Sequence, residues 1–293
     1  MEKNPRTGKY VVVFKPGKNI IRNIEVPCGQ CAGCRLERSR VWAIRCMHEN
    51  QLHQESHFLT LTYNDENLPD NNSLLPSDLQ KFYKRLRKRG KKFRYYSCGE
   101  YGELNKRPHY HAILFGLELN DRNHFTNFNG QPLYTSEEIS RVWNCGHVVI
   151  GNVSFESCAY VARYIMKKRL GPDAWKNYGD LNKETGEIEN WRIPEFTTMS
   201  RKPGIGKEWY DKYKNDVYQH GTDGKVIIRG GIPTIPPRFY EDKFNLEQPI
   251  VLDKIKHERR KKADEKSEDN TWRRLEVKEK VFEAKIKSLK RTV

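Results

Sequence analysis

The chain has 293 residues, enough for one large or two modest domains with a real core. Only 36% of them are hydrophobic, and no run approaches the ~18 apolar residues of a bilayer span, which excludes a helical membrane protein. The 54 Lys and Arg against 38 Asp and Glu leave a charge of +16, which calls for an extended anionic partner, nucleic acid first.

The N-terminal sequence lacks the apolar core of a secretory signal, so the expectation is a soluble, cytoplasmic protein. Its seven cysteines, an odd number, are then reduced thiols or metal ligands in place of a disulfide frame. Two strands, "YVVVF" and "NIIRNIEV", lead into "PCGQCAGCRLERSRVWAIRCMHEN", where Cys28, Cys31 and Cys34 follow at three-residue intervals and a helix runs from Arg35. Two readings of these thiols stand. One is a structural Zn²⁺ completed by Cys46 or His48, and the other is a set of unliganded thiols, since no second CxxC pair completes the usual pattern.

From residue 57 strands and helices alternate. "HFLTLTY" alternates as a strand; "PSDLQKFYKRLRKR" opens on a Pro and Ser start signal and carries Leu79, Phe82, Tyr83 and Leu86 at helical spacing. "FRYYSCGEY" and "HYHAILFG" are strands joined by "GELNKRP". "SEEISRVW" is a short helix, "HVVIGNVS" a strand, and "FESCAYVARYIMKKRL" a helix ended by Gly171 and Pro172. The order β-α-β-β-α-β-α predicts an α+β protein with a ferredoxin-like, RRM-like antiparallel sheet and flanking helices. The expected divisions are residues 1–56 for the N-terminal strands, Cys-rich segment and helix, 57–171 for the core, 172–250 for an extension packed on it, and 251–293 for a charged helical or disordered arm. In that arm Leu275, Phe282, Ile286 and Leu289 form a rough stripe.

His109 and His111 alternate along a predicted strand and so share a face, where two imidazoles can hold one metal ion. The third ligand expected is Glu100 on the preceding strand, with Glu103 as the fallback; a carboxylate suits Mg²⁺ or Mn²⁺. Tyr160 and Tyr164 stand four apart on a predicted helix, with Lys167 and Lys168 a turn later. Nearby cations favour phenolate, so the group has what a tyrosine nucleophile needs, and a metal-polarised phosphodiester is its natural target. "KFYKRLRKRGKKFR" holds nine Lys and Arg, among them Lys84, Arg85, Arg87, Lys88, Arg89, Lys91 and Lys92, interleaved with Phe82, Tyr83 and Phe93, as a single-strand groove would need. Arg201 and Lys202 in "SRKPGIGKEW" sit where glycines let backbone amides approach phosphates.

"FLTLTY", the His-hydrophobe-His motif "RPHYHAILFG" and the two-tyrosine motif "YVARYIMKK", together with "PCGQCAGC", "GEYG" and "SRKPGIG", span residues 26–206 in an order that resembles the rolling-circle replication initiators of microviruses, most of all the gokushovirus branch. The resemblance implies an HUH endonuclease fold and a metal-dependent enzyme with nicking and joining activity. Glu100, His109 and His111 would hold the ion. One of Tyr160 and Tyr164 would cut single-stranded DNA at the origin, keep its 5′ phosphate as phosphotyrosine and leave a 3′ hydroxyl for a host polymerase. The second tyrosine would cut again after a full circle. A host helicase is a further expected partner, and no membrane is. The site of action would be the bacterial cytoplasm.

Overall fold

The structure is a computed structural model, described for residues 2–3, 10–11, 26–102, 105–163, 174–219 and 224–288. The described elements begin with a short antiparallel pair, β1 (Glu2–Lys3) and β2 (Tyr10–Val11), followed by α1 (Ala32–Asn50). The central run is β3 (Ser56–Tyr63), α2 (Pro76–Lys88), β4 (Arg94–Tyr101), β5 (Pro108–Phe115), β6 (Arg122–Phe128), β7 (Gln131–Ser136), α3 (Glu137–Trp143), β8 (Gly146–Asn152) and α4 (Phe155–Arg163). After it come α5 (Trp175–Tyr178), the pair β9 (Asp180–Leu181) and β10 (Ile188–Glu189), β11 (Phe196–Met199) and α6 (Lys207–Tyr218). The chain continues through the pair β12 (Val226–Ile228) and β13 (Ile232–Thr234), then α7 (Arg238–Glu247), α8 (Pro249–Asp264) and α9 (Trp272–Ser288).

Seven strands form one antiparallel sheet in the order β11-β4-β5-β3-β8-β7-β6. Its middle, β4-β5-β3-β8, is the ferredoxin-like arrangement expected from the sequence. Two additions widen it: β11 on one edge and the β6–β7 hairpin on the other. The hairpin was not among the predicted elements, although its turn is an Asn-Gly pair, Asn129 at φ 49° and Gly130 at φ 74°, both left-handed as a tight two-residue hairpin turn requires. The predicted end of the tyrosine helix at Gly171 and Pro172 lies outside the described residues, as do most of the two N-terminal strands expected at "YVVVF" and "NIIRNIEV".

Strand alternation sorts the core. On one face Tyr110, Ala112 and Leu114 of β5 join Leu59, Leu61 and Tyr63 of β3 against Leu79, Phe82, Tyr83 and Leu86 of α2 and Ile139, Val142 and Trp143 of α3. The opposite face sets Phe58, Tyr96, Cys98, Ile113 and Phe115 against Ala43 and Cys46 of α1 and Cys158, Val161 and Ala162 of α4. A third cluster packs Ile44 of α1 with Trp209, Tyr210, Tyr240, Phe244 and Leu252, and so seats α6, α7 and α8 against the outer side of α1. Each of the larger aromatics there removes about 150–250 Å² from water, which is why this C-terminal extension stays on the core without joining the sheet. The charged arm is helical where described: α9 carries Leu275, Val277, Val281 and Phe282 between 37% and 48% exposed, a stripe with no apolar cover among the described residues.

Local signals account for the helix ends. Pro76 opens α2 with Asp78 in its first turn, while Arg85, Arg87 and Lys88 occupy the last, matching the helix dipole at both ends. The Ser136 hydroxyl caps α3 by accepting from the Ile139 amide at 3.1 Å, and Asn144 ends that helix in the left-handed conformation at φ 49°. Gly146, at φ 149°, then crosses so close to β3 that a Cβ would lie 2.3 Å from the Thr62 carbonyl oxygen, so only glycine fits the start of β8.

Candidate active site

Register brings the candidate ligands together. In the β4–β5 ladder Glu100 lies opposite His109 and Cys98 opposite His111, so Glu100 shares a sheet face with both histidines. Its Oε1 is 2.7 Å from His109 Nε2 and 3.0 Å from His111 Nε2. Glu100 is 2% exposed and His111 3%, while His109 is half-buried at the open side of the group.

The other ring nitrogens show how the imidazoles are oriented. His109 Nδ1 lies 3.1 Å from the Arg107 carbonyl oxygen, which can only accept, so Nδ1 carries the proton and Nε2 presents its lone pair toward Glu100. His111 Nδ1 is 3.0 Å from Thr60 Oγ1, a partner of the kind that fixes a ligating histidine. Two imidazole lone pairs and a carboxylate oxygen converging on one point repel unless a cation lies among them. The donor set therefore fits a divalent ion, and mixed imidazole and carboxylate donors are within the range of Mn²⁺ and related ions. Burial pushes the Glu100 carboxyl up, but hydrogen bonds from His109 and His111 outweigh it and hold the group at about 2, so it is anionic at neutral pH.

These residues open into a cavity of about 680 Å³. Its lining includes Thr60, Thr62, Asn105, Arg107, His109, His111, Phe128 and Tyr160. Tyr160 is on α4, whose register against α1 is pinned by the Ser39 hydroxyl donating to the Ala159 carbonyl at 3.0 Å. The Tyr160 ring stands edge-on to His111 with centroids 5.1 Å apart, and edge-on to Phe58 at 6.3 Å. The structure thus brings Glu100, His109, His111 and Tyr160 to one cavity. Tyr164, Lys167, Lys168 and the fallback ligand Glu103 lie outside the described residues.

Two contributors escaped the sequence reading. Thr60 was visible only as a polar residue in an alternating strand, and its place opposite His111 depends on a strand pairing that the sequence does not print. Arg107 lines the cavity with its guanidinium held by Asp65 at 2.7 Å and by the Tyr63 carbonyl at 2.9 Å. Its position immediately before the histidine motif was the available signal.

The basic stretch lies elsewhere. Because Tyr110 and His109 point to opposite faces, α2 covers the face away from the histidines, and Lys84, Arg87, Lys88 and Arg89 are exposed on its outer side. The interleaved aromatics are no stacking platform: Phe82 is 0% and Tyr83 3% exposed, both built into the core. Phe93 sits beneath the Arg87 guanidinium at 4.9 Å. Arg85 donates to the Trp143 carbonyl at 2.9 Å, Lys91 pairs with Glu138 at 3.1 Å, and Lys92 is exposed. Arg201 and Lys202 are exposed in a turn tied to the start of β4, where the Ser200 amide donates to the Tyr95 carbonyl and Arg94 donates to the Pro203 carbonyl. From Arg94 to Glu100 is six residues of strand, about 20 Å, so this turn is remote from the cavity.

Cys28, Cys31 and Cys34 do cluster, their sulfurs all within 4.8 Å of one another at the start of α1. Amide donation from Cys31 and Gln30 brings the Cys28 thiol down to about 7. Cys46 is not brought to them. It lies twelve residues along α1, about 18 Å, fully buried beside Cys158, where burial pushes its thiol well up. His48 is equally remote, stacked on Trp209 with centroids 3.5 Å apart.

A ferredoxin-like sheet carrying two histidines and a carboxylate on its central strands, with a tyrosine helix across a shared cavity, defines a class of α+β proteins with a candidate metal centre and an adjacent nucleophile. A family model for the replication-associated protein ORF2 matches residues 56–169, the span that holds these elements. The chain is 33% identical over 254 residues to replication-associated protein VP4 of Bdellovibrio phage phiMH2K, covering 83% of this chain and 75% of the relative. It is 35% identical over 269 residues to replication-associated protein ORF2 of Spiroplasma virus 4, covering 86% and 78%. Replication-associated protein ORF4 of Chlamydia phage 1 is 32% identical over 154 residues, 49% of this chain and 38% of that one. The chain belongs to the phage replication-associated proteins, rolling-circle replication initiators of the microvirus type. No solved structure gives a significant match. Among the described residues no helix is long and apolar enough to cross a membrane.

Proposed function

We propose that the protein starts replication by nicking single-stranded DNA at an origin through a tyrosine and later rejoins the released strand. The observation that carries this reading is the shared cavity: Glu100, His109 and His111 face Tyr160 across a space open to a strand. A Mg²⁺ or Mn²⁺ ion held by Glu100, His109 and His111 would supply Lewis-acid polarisation of the scissile phosphate.

The chain's own residues do the rest. Tyr160 Oη attacks phosphorus; the bond to the 3′ oxygen breaks as the bond to Oη forms. The phenol gives up its proton, the departing 3′ oxygen takes one up, and the products are a 5′-phosphotyrosine and a free 3′ hydroxyl. Because the diester is conserved, attack by a 3′ hydroxyl reverses the step and reseals DNA without another energy source. Arg107, at the cavity, is placed to hold a non-bridging phosphate oxygen. Tyr164 is the second nucleophile, four residues on, and Lys167 and Lys168 lower the cost of forming phenolate. Lys84, Arg85, Arg87, Lys88, Arg89, Lys91, Lys92, Arg201 and Lys202 contribute long-range attraction for DNA outside the cavity. A host polymerase extends the 3′ end and a host helicase opens the duplex ahead of it.

The test is a labelled single-stranded origin fragment mixed with protein and Mn²⁺ or Mg²⁺, read on a denaturing gel for wild type, Tyr160→Phe, Tyr164→Phe, the double variant and His109→Ala. A metal-dependent adduct that survives denaturation and vanishes in the double variant is expected. Cleavage without adduct would indicate a water-using phosphodiesterase, and tight binding with neither would indicate a binding protein.

A further inference from the structure

The thiol group at the start of α1 takes no part in this chemistry, yet its geometry is that of a ligand set. Cys28 Sγ and Cys34 Sγ are 3.9 Å apart, far from the ~2.05 Å of a disulfide and close to the ~3.8 Å edge of a tetrahedron drawn with Zn–S bonds of ~2.3 Å. Cys31 Sγ lies within 4.8 Å of both.

The backbone is arranged around the sulfurs. Gly29, at φ 73°, lets the chain turn between the first two cysteines. Amides then point at sulfur: Gln30 N and Cys31 N reach Cys28 Sγ at 3.4 and 3.2 Å, and Cys34 N reaches Cys31 Sγ at 3.5 Å. Cys31 is also the N-cap of a nineteen-residue helix, so the positive end of its dipole faces the group. The Arg38 guanidinium lies beside Gly29, a cation next to a site that three thiolates and one divalent ion would leave with net negative charge.

We propose that Cys28, Cys31 and Cys34 bind one thiophilic divalent ion, with Zn²⁺ as the physiological choice, as three thiolates whose fourth coordination position is open to solvent or an external ligand. Cys46 and His48 are not ligands. The ion fastens the segment from residue 26 to the first turn of α1, and α1 is the helix against which α4 and Tyr160 are set by the bond from Ser39 to Ala159. Its role is to position that helix pair, and the proposal is independent of the nicking reading.

The full chain is purified without chelator, zinc per chain is measured by mass spectrometry, and Co²⁺ is exchanged into the wild type. About one zinc per chain is expected in wild type and in Cys46→Ser. The same zinc should persist in the His109→Ala, His111→Ala double variant, which separates this site from the sheet cluster. Cys31→Ser should lose it, and the Co²⁺ protein should show thiolate-to-metal charge-transfer bands with the strong visible bands of a tetrahedral ion. Zinc retained after all three thiols are changed to serine would overturn the proposal. So would a wild type, folded by circular dichroism, that gives no thiolate band with Co²⁺, or one that forms a Cys28–Cys34 disulfide in place of binding zinc. The wild-type spectrum needs no variant to fold, so the proposal stays testable if Cys31→Ser does not.

Discussion

Replacing Thr60 by valine keeps the shape of the β3 side chain and removes one atom pair, the 3.0 Å approach of Thr60 Oγ1 to His111 Nδ1. His111 is 3% exposed, so water cannot replace the hydroxyl. In the cation-free protein the loss is mild, because the imidazole can move its proton to Nε2 and donate to Glu100, 3.0 Å away. Cation binding reverses that choice: Nε2 must present its lone pair, and a buried Nδ1–H is left without an acceptor. Such an unsatisfied group costs about 1–3 kcal/mol, which is roughly a 5- to 150-fold loss of affinity. Outer-shell partners of metal-bound histidines are worth about 10–100-fold, in agreement. Thr60→Val should therefore weaken Mn²⁺ binding by about tenfold or more, while Thr60→Ser stays within about threefold. The assay is titration with Mn²⁺, following free ion by electron paramagnetic resonance, with His111→Ala as the no-site reference. Equal affinity in wild type and Thr60→Val, with His111→Ala defective, would show that this hydroxyl does not orient the ligand.

Two further outcomes follow from placement. Burial lowers His48 from 6.5 to about 3, so the unfolded chain binds a proton before the folded one does, and stability complete above pH 6.5 is lost as pH falls below it. Between pH 7.5 and 5.5 the wild type should lose about 1.4 kcal/mol more than His48→Gln in urea unfolding; parallel losses would refute the assignment. Because Lys84 and Lys88 stand across the sheet from the cavity, changing both to glutamine should lower the salt dependence of DNA binding by roughly 1.4 in log–log slope, about 0.7 for each phosphate no longer neutralised. Single-turnover adduct formation at saturating DNA should stay within about twofold, and a tenfold fall would place α2 at the scissile strand.

The site was more legible than its surroundings because it depends on the shortest repeats. Alternation along β5 puts His109 and His111 together, and a single hairpin register adds Glu100. The same alternation, applied to Tyr110, also implied that the α2 stretch belongs to the other face. The spacing of Leu79, Phe82, Tyr83 and Leu86 already consigned its aromatics to the core, so charge density alone was a poor guide to the groove. The β6–β7 hairpin went unread despite its Asn-Gly turn because β6 is exposed along its whole length and carries no apolar alternation to mark a strand. Cys46 was a plausible fourth ligand by proximity in sequence, but a helix turns twelve residues into about 18 Å. The third core cluster, in which α6 to α8 fold back on α1, rests on packing between residues distant in sequence that no local pattern announces.

The ladder that pairs Glu100 with His109 also makes the cluster a proof of correct strand assembly. A slip of one residue between β4 and β5 would turn Glu100 to the face of Tyr110 and leave the two imidazoles without their carboxylate. Shifted chains are then distinguishable from native ones by their failure to hold a cation, and a cation present during folding draws the population toward the native pairing by mass action.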